Sequence, residues 1–229
     1  MKKTRIALIV MMALMGLIAI NGCKKSSTPV INGPQNLNTE FGTVTDIDGN
    51  VYRTVRIGDQ WWMAENLRVT RDPKGNPIES FCYNDDEGMA QTYGRLYSWD
   101  AAMNGSTTEG AQGIAPDGWR IPSESDWDKL IETLGGTREA GGHLKETGTA
   151  LWNEPNEGAT NLSGFSAIAS GEIDRGVHRL LGTTAVFWTS KEIGADNALY
   201  VHVHHDDTIA TKQRFFKSVM FYSIRCIKN

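Results

Sequence analysis

The sequence predicts an α+β fold, with two helices in the first half of the domain and an antiparallel, strand-rich second half. Three observations carry that expectation. The stretch from Gly118 to Leu134 turns from a strand end into a capped helix. The stretch Tyr93 to Gly105 sets Leu96, Trp99 and Met103 on one helical face. Beyond Phe165, short runs of β-branched and aromatic residues alternate with turn residues.

The amino terminus has to be set aside before the fold is read. Lys2, Lys3 and Arg5 precede an apolar run from Ile6 to Ile20, about 15 residues and short of the ~20 that a spanning helix needs. The run ends in Ile20-Asn21-Gly22-Cys23, which resembles a bacterial lipoprotein signal with Cys23 as the lipidated first mature residue. An ordinary cleaved secretory signal is the alternative reading. Residues 1–22 are thus expected to be a signal peptide and 23–40, rich in Ser, Thr, Asn, Pro and Gly, a lipidated flexible linker. Residues 41–229 are expected to form one domain. Two or more acyl chains would hold such a protein on a membrane stably. Lysines follow Cys23 and no acidic run does, so the outer membrane is the expected destination, facing either the periplasm or the exterior.

The chain carries 23 basic and 27 acidic residues, a net charge of −4, and losing the basic leader makes it more acidic still. With no basic cluster, nucleic acid is not an expected partner. Cys82 and Cys226 remain in a compartment where disulfides persist. One reading is a disulfide joining an early loop to the last strand, worth on the order of 4 kcal/mol for so long a loop. The other is a reactive or metal-binding thiol.

Taken in order, Phe41–Thr45 and Val51–Ile57 read as strands across the turn Asp46-Ile47-Asp48-Gly49-Asn50. That turn lacks the glycine position and closing glutamate of a calcium-binding EF-hand loop. Gln60–Ala64 reads as a short bulky strand, Arg71–Pro77 as a Pro/Gly loop and Phe81–Tyr83 as another short strand. The acidic loop Asn84–Glu87 leads to the helix expected over Tyr93–Gly105, which Asn104-Gly105 terminates. The second helix has Ser123 at its N-cap and Asp126 three residues on, the pattern of a capping box. Pro122 prevents an earlier start. Trp127, Leu130, Ile131 and Leu134 form its apolar stripe, and Gly135-Gly136 stops it. Expected strands follow at Phe165–Ala169, Val186–Ser190, Ala198–His204, Thr208–Phe216 and Met220–Ile227.

Several segments together resemble one family: Gln60-Trp61-Trp62-Met63-Ala64-Glu65-Asn66-Leu67, Tyr93-Gly94-Arg95-Leu96-Tyr97, and Gly118-Trp119-Arg120-Ile121-Pro122-Ser123 with Trp127. Ser163-Gly164-Phe165, Phe187-Trp188-Thr189-Ser190 and Ser223-Ile224-Arg225-Cys226-Ile227 continue the series. Their order is similar to that of the Fibrobacter succinogenes major paralogous domain, found in exported lipoproteins of Bacteroidetes-type bacteria. The Trp-Arg-Ile-Pro-Ser segment is also similar to one in formylglycine-generating-enzyme-like domains. This implies a C-type-lectin-like fold, with two helices packed on a twisted antiparallel sheet and the chain ends paired. Fold alone does not imply an activity.

Two constellations are candidate sites. Glu154-Pro155-Asn156 matches the triplet with which sugar-binding C-type lectins ligate calcium, so Glu154 and Asn156 are candidate ligand-binding residues and calcium a possible cofactor. The Trp-Asn-Asp that completes such a site in lectins is absent, Trp188-Thr189-Ser190 standing nearest to it. His202 and His204, spaced i, i+2 on one strand face, can bind zinc with Asp206 adding an oxygen. The alternative is a solvent-facing hairpin that turns at His205-Asp206-Asp207. Cys82 and Cys226 do not match the copper-binding cysteines of formylglycine-generating enzymes. No Gly-x-Ser-x-Gly or His-Glu-x-x-His occurs. The tryptophans could form a sugar platform, but their apolar settings favour core packing. The sequence therefore leads us to expect a lipid-anchored binding or scaffold module of the cell envelope, without catalysis, whose partner is a glycan or an envelope protein. Loops from Arg138 to Asn161 would form its variable face. A hydrolase or oxidase of envelope polymers using Cys226 or His202 and His204 is the rival expectation.

Overall fold

Three antiparallel sheets and four short helices make up the computed structural model, which describes residues 40–229. The expected signal peptide, Cys23 and all of the linker but Glu40, which opens the first strand, lie outside the described residues. The chain is thus mixed α and β, with mostly antiparallel sheets and few helices.

The first sheet has the order β1-β2-β3-β11-β4. Strands β1 (Glu40–Thr45), β2 (Val51–Ile57) and β3 (Gln60–Met63) form a meander at the expected positions. The last strand, β11 (Ile227–Lys228), inserts between β3 and β4 (Trp119–Arg120). The turn between β1 and β2 is built on Asp46. Its carboxylate accepts hydrogen bonds from the backbone of Asp48 and Asn50, from the Asn50 amide and from the Tyr52 hydroxyl. Asp72 repeats this device with Lys74 and Asn76, so Asp-x-x-Gly-Asn occurs twice as the same turn. Protein donors satisfy both carboxylates, which fits a turn and not a cation loop.

Of the helix expected over Tyr93–Gly105 only Trp99–Met103 forms, and a separate short helix ends where the expected one begins. Helix α1 (Ala90–Tyr93) ends at Gly94, and α2 (Trp99–Met103) starts from Ser98, whose side chain accepts from the Ala101 amide. Gly94 breaks the run because its φ is 75° and a Cβ there would lie 2.5 Å from Asn66 Cβ. The residues between are drawn into extended pairings instead: Leu96 with Phe81, and Tyr97 with Tyr222. The Asn104 terminus is as expected, in the left-handed conformation.

Helix α3 (Glu124–Thr133) carries the full capping box. Ser123 Oγ accepts from the Asp126 amide at 3.2 Å, and Asp126 accepts from the Ser123 amide at 2.7 Å. Arg120 clasps the same carboxylate with both terminal nitrogens. Trp127, Leu130, Ile131 and Leu134 are all buried. Trp127 stacks on Phe187 and meets Trp62 and Phe165, the centre of one apolar cluster. A second cluster gathers Tyr97, Trp99, Met103, Trp188 and Tyr222. Tryptophans 62, 99, 119, 127, 152 and 188 are buried, in keeping with core packing.

One helix escaped the sequence reading. Helix α4 (Thr137–Leu144) follows α3 directly and contains Gly141-Gly142, which reads as a break. The pair is required by close backbone approach. A Cβ on Gly141 would lie 2.6 Å from the Ile209 carbonyl oxygen, and one on Gly142 would lie 2.5 Å from that of Gly158.

The second half holds β5 (Ser170–Asp174), β6 (Val177–Leu181), β7 (Thr184–Ile193), β8 (Asn197–His204), β9 (Ala210–Phe216) and β10 (Met220–Phe221). They pair as β10-β5-β6 and β7-β8-β9. Phe165–Ala169 is buried chain with one bridge and not a strand, while β5 and β6 lie just beyond it. The run expected as one strand from Met220 to Ile227 is split. Residues 222–226 cross between sheets, with Tyr222 pairing to Tyr97 and Ser223 to Phe187.

Candidate functional site

Between α4 and β5, residues 145–169 contain neither helix nor strand beyond one bridge from Lys145 to Ala167. That is well past the ~12–15 residues common for structureless connections, a length that usually marks function. Polar side chains hold this loop in place. Lys145 is fully buried, and its ammonium donates to the carbonyl oxygens of Glu157, His204 and Asp207 at 2.8, 2.8 and 2.7 Å. Burial lowers its pKa to about 8, against the raising effect of Asp207, Glu157 and Asp206. Asn156 is buried too, donating to the carbonyls of Glu146 and Gly148, while its Oδ1 has no partner. Trp152 anchors the loop to Ala167 through its indole N–H.

These contacts bring together the two constellations that the sequence presents separately. The Glu157 amide donates to the His205 carbonyl at 2.7 Å, and His205 Nδ1 lies 2.9 Å from the Glu154 carbonyl. The Glu-Pro-Asn loop and the β8–β9 turn therefore form one surface, tied by Lys145 from beneath. Glu154 and Asp206 are exposed on it, whereas Asn156 turns its amide inward. The Glu154–Pro155 peptide is cis.

Burial and pairing decide what the remaining candidates can do. His204 Nε2 lies 3.1 Å from His202 Nδ1, and His204 Nδ1 lies 3.0 Å from Thr184 Oγ1. Both nitrogens of His204 are thereby engaged within the protein. Burial, then His204, pushes the His202 pKa down to about 4, so that ring is neutral at physiological pH. Its Nε2 is buried without a partner. The pair is half-buried on the central strand of its sheet and not on an open solvent face. Among the described residues, no three His, Cys, Asp or Glu side chains gather to hold a metal, so Asp206 does not join His202 and His204 in a ligand set.

The expected disulfide is corrected: Cys82 and Cys226 are both buried and free. Cys82 lies beside Glu87 and Arg95, whereas Cys226 belongs to the apolar cluster around Tyr97 and Trp188. Burial raises the Cys82 thiol to about 11 and the Cys226 thiol well above its ordinary value. Neither is a thiolate at neutral pH.

The Fibrobacter succinogenes major domain matches residues 55–228 of this chain. The protein belongs to that family. No curated protein and no solved structure matches it. The match to this domain begins within β2 and runs into β11, so β3, both capped helices, the loop 145–169 and the closing strand fall inside it, while β1 lies before it. The sequence reading missed Lys145 as a site residue, because a lone lysine after a glycine pair looks like an exposed one. Its place beside the buried Trp152, under three carbonyls, is visible only in the fold.

Proposed function

We propose that this member of the Fibrobacter succinogenes major domain family is a lipid-anchored, non-catalytic binding module of the cell envelope. It would carry a C-type-lectin-like arrangement and use the surface formed by residues 146–160 and the β8–β9 turn. One observation carries the reading: a buried lysine spends its three donors on carbonyls from both segments and so fixes an irregular, polar surface before any ligand arrives. Preorganised loops on a rigid frame are the usual form of a recognition face, because less conformational freedom is lost on binding. The meeting of early strands with the final strand in one sheet supports the lectin-like arrangement. The protonated, buried thiols and the mutually bonded histidines support a role without catalysis.

A glycan array probed with the protein, with and without calcium, tests this reading. Binding to a restricted glycan set, weakened when Asn153, Glu154 and Glu157 are replaced together by alanine, is the expected result. Robust turnover of a polysaccharide or peptide substrate would contradict it.

A further inference from the structure

Away from that surface, a cavity of about 310 Å³ lies between the end of β3, the α1 region and the inner side of the loop 145–169. Such a volume is at the lower end for small-ligand sites, enough for about one sugar ring or a short acid. Arg225 forms part of its wall and is 1 % exposed. The guanidinium has five N–H donors. Four hydrogen bonds use them: Nε to Asn66 Oδ1, Nη1 to the carbonyls of Met63 and Phe165, and Nη2 to the carbonyl of Ser166. Every one of those acceptors is neutral, and one N–H of Nη2 remains. A buried cation without a carboxylate in contact is costly, and desolvation lowers this one to about 9.

The rings of Phe165 and Phe187, whose centroids lie 4.7 and 5.7 Å from the guanidinium carbon, offset part of that cost, and the charges around the cavity do not offset the rest. Arg53, Arg68 and Arg225 line it against Glu65 and Glu146, three guanidinium groups to two carboxylates. Glu65 is already taken by Arg53, at 3.1 Å. Arg68 lies over the Tyr52 ring, 4.5 Å from its centroid, donates from Nη2 to the Val51 carbonyl, and has a buried Nε with no partner. Two cationic side chains with N–H groups that no protein acceptor takes thus line one cavity, whose net charge a single anion would cancel. Gln91 and Thr92, exposed on the α1 side, add amide and hydroxyl groups suited to a hydroxylated body.

We propose that this cavity binds the carboxylate of a sugar acid of about one ring, paired with the guanidinium groups of Arg68 and Arg225. Arg68 can offer the planar carboxylate two parallel hydrogen bonds, as an ammonium could not, and Arg225 adds the one N–H that it has left. The site does not depend on the loop-surface reading above.

The test is calorimetric titration of the full chain in detergent with galacturonate, its neutral methyl ester, galactose, and a short acetylated dipeptide acid. Galacturonate should bind saturably, with the ester and galactose weaker by about tenfold or more. Arg68→Gln should lose about tenfold while its melting temperature reports that it is folded. Arg225→Lys is the companion variant and is the more prone to unfold. Equal affinity for acid and ester would overturn the proposal. So would undiminished binding by Arg68→Gln, tighter binding of the dipeptide than of galacturonate, or no binding of galacturonate up to about 20 mM. Glycan-array binding together with no saturable binding of galacturonate would leave the loop-surface reading standing and remove this one.

Discussion

Helix α3 and the loop 145–169 are held by different means. The helix is fixed by apolar area: Trp127 is buried among Trp62, Phe165 and Phe187, and a capping box finishes the start of the helix. The loop buries Trp152 and Phe165 in the same cluster, but its stretch 153–161 carries no large apolar side chain. It is fixed by Lys145, Asn156 and Trp152, whose donors satisfy carbonyls that a strand or helix would otherwise pair. Apolar burial is indifferent to the identity of the exposed residues, but so is a lysine that bonds only to backbone. The loop can therefore vary on its outer side while keeping its shape.

Breaking each region should expose that difference. Trp127→Ala has the largest expected effect, a global loss of about 3–5 kcal/mol in urea melts, because it opens a cavity that three aromatic rings surround. Lys145→Met should cost about 2–4 kcal/mol, since the volume is kept but three carbonyls lose their donor. Its damage should be local, with exchange-broadened or shifted amide signals in 146–160 and the β8–β9 turn and an unchanged α3. A Lys145→Met protein that melts like the parent would show that the polar frame does not hold the loop.

The smallest effect concerns the cap of α3. Burial alone would raise the Asp126 carboxyl, but the hydrogen bonds from Arg120 and Ser123 outweigh it and hold the group below its ordinary value. The unfolded chain therefore binds the proton first as the pH falls. The stabilisation is complete above the ordinary carboxylate pKa and is lost as the pH drops through the lower folded value. Asp126→Asn should be less stable than the parent by about 1 kcal/mol at neutral pH. That gap should close in strong acid, and a gap independent of pH would contradict the assigned role.

The same contrast explains what could be read in advance. The meander, the capping box and the apolar stripe of α3 are local signals, written within a few residues of where they act. The double glycine of α4 is not local: its meaning lies in the carbonyls of Ile209 and Gly158, which the fold brings against it. Gly94 likewise ends a helix because Asn66 crosses there. Glu154-Pro155-Asn156 and His202–Asp207 each drew notice as ligand patterns. Their real relation, a shared surface joined through His205 and Lys145, is tertiary. The pairing of Cys82 with Cys226 rested on number and compartment, neither of which reports distance, and the two thiols lie in different surroundings.

Amide hydrogen exchange on the intact protein tests most directly the claim that the loop is preformed. The amides of Asn153, Glu157, Thr160 and Ala167 donate to Gly182, His205, Gly142 and Leu144. They should exchange about as slowly as those of β8, with protection that Lys145→Met removes from the first three. Rapid exchange at these four positions in the unliganded protein, beside a protected β8, would contradict the account.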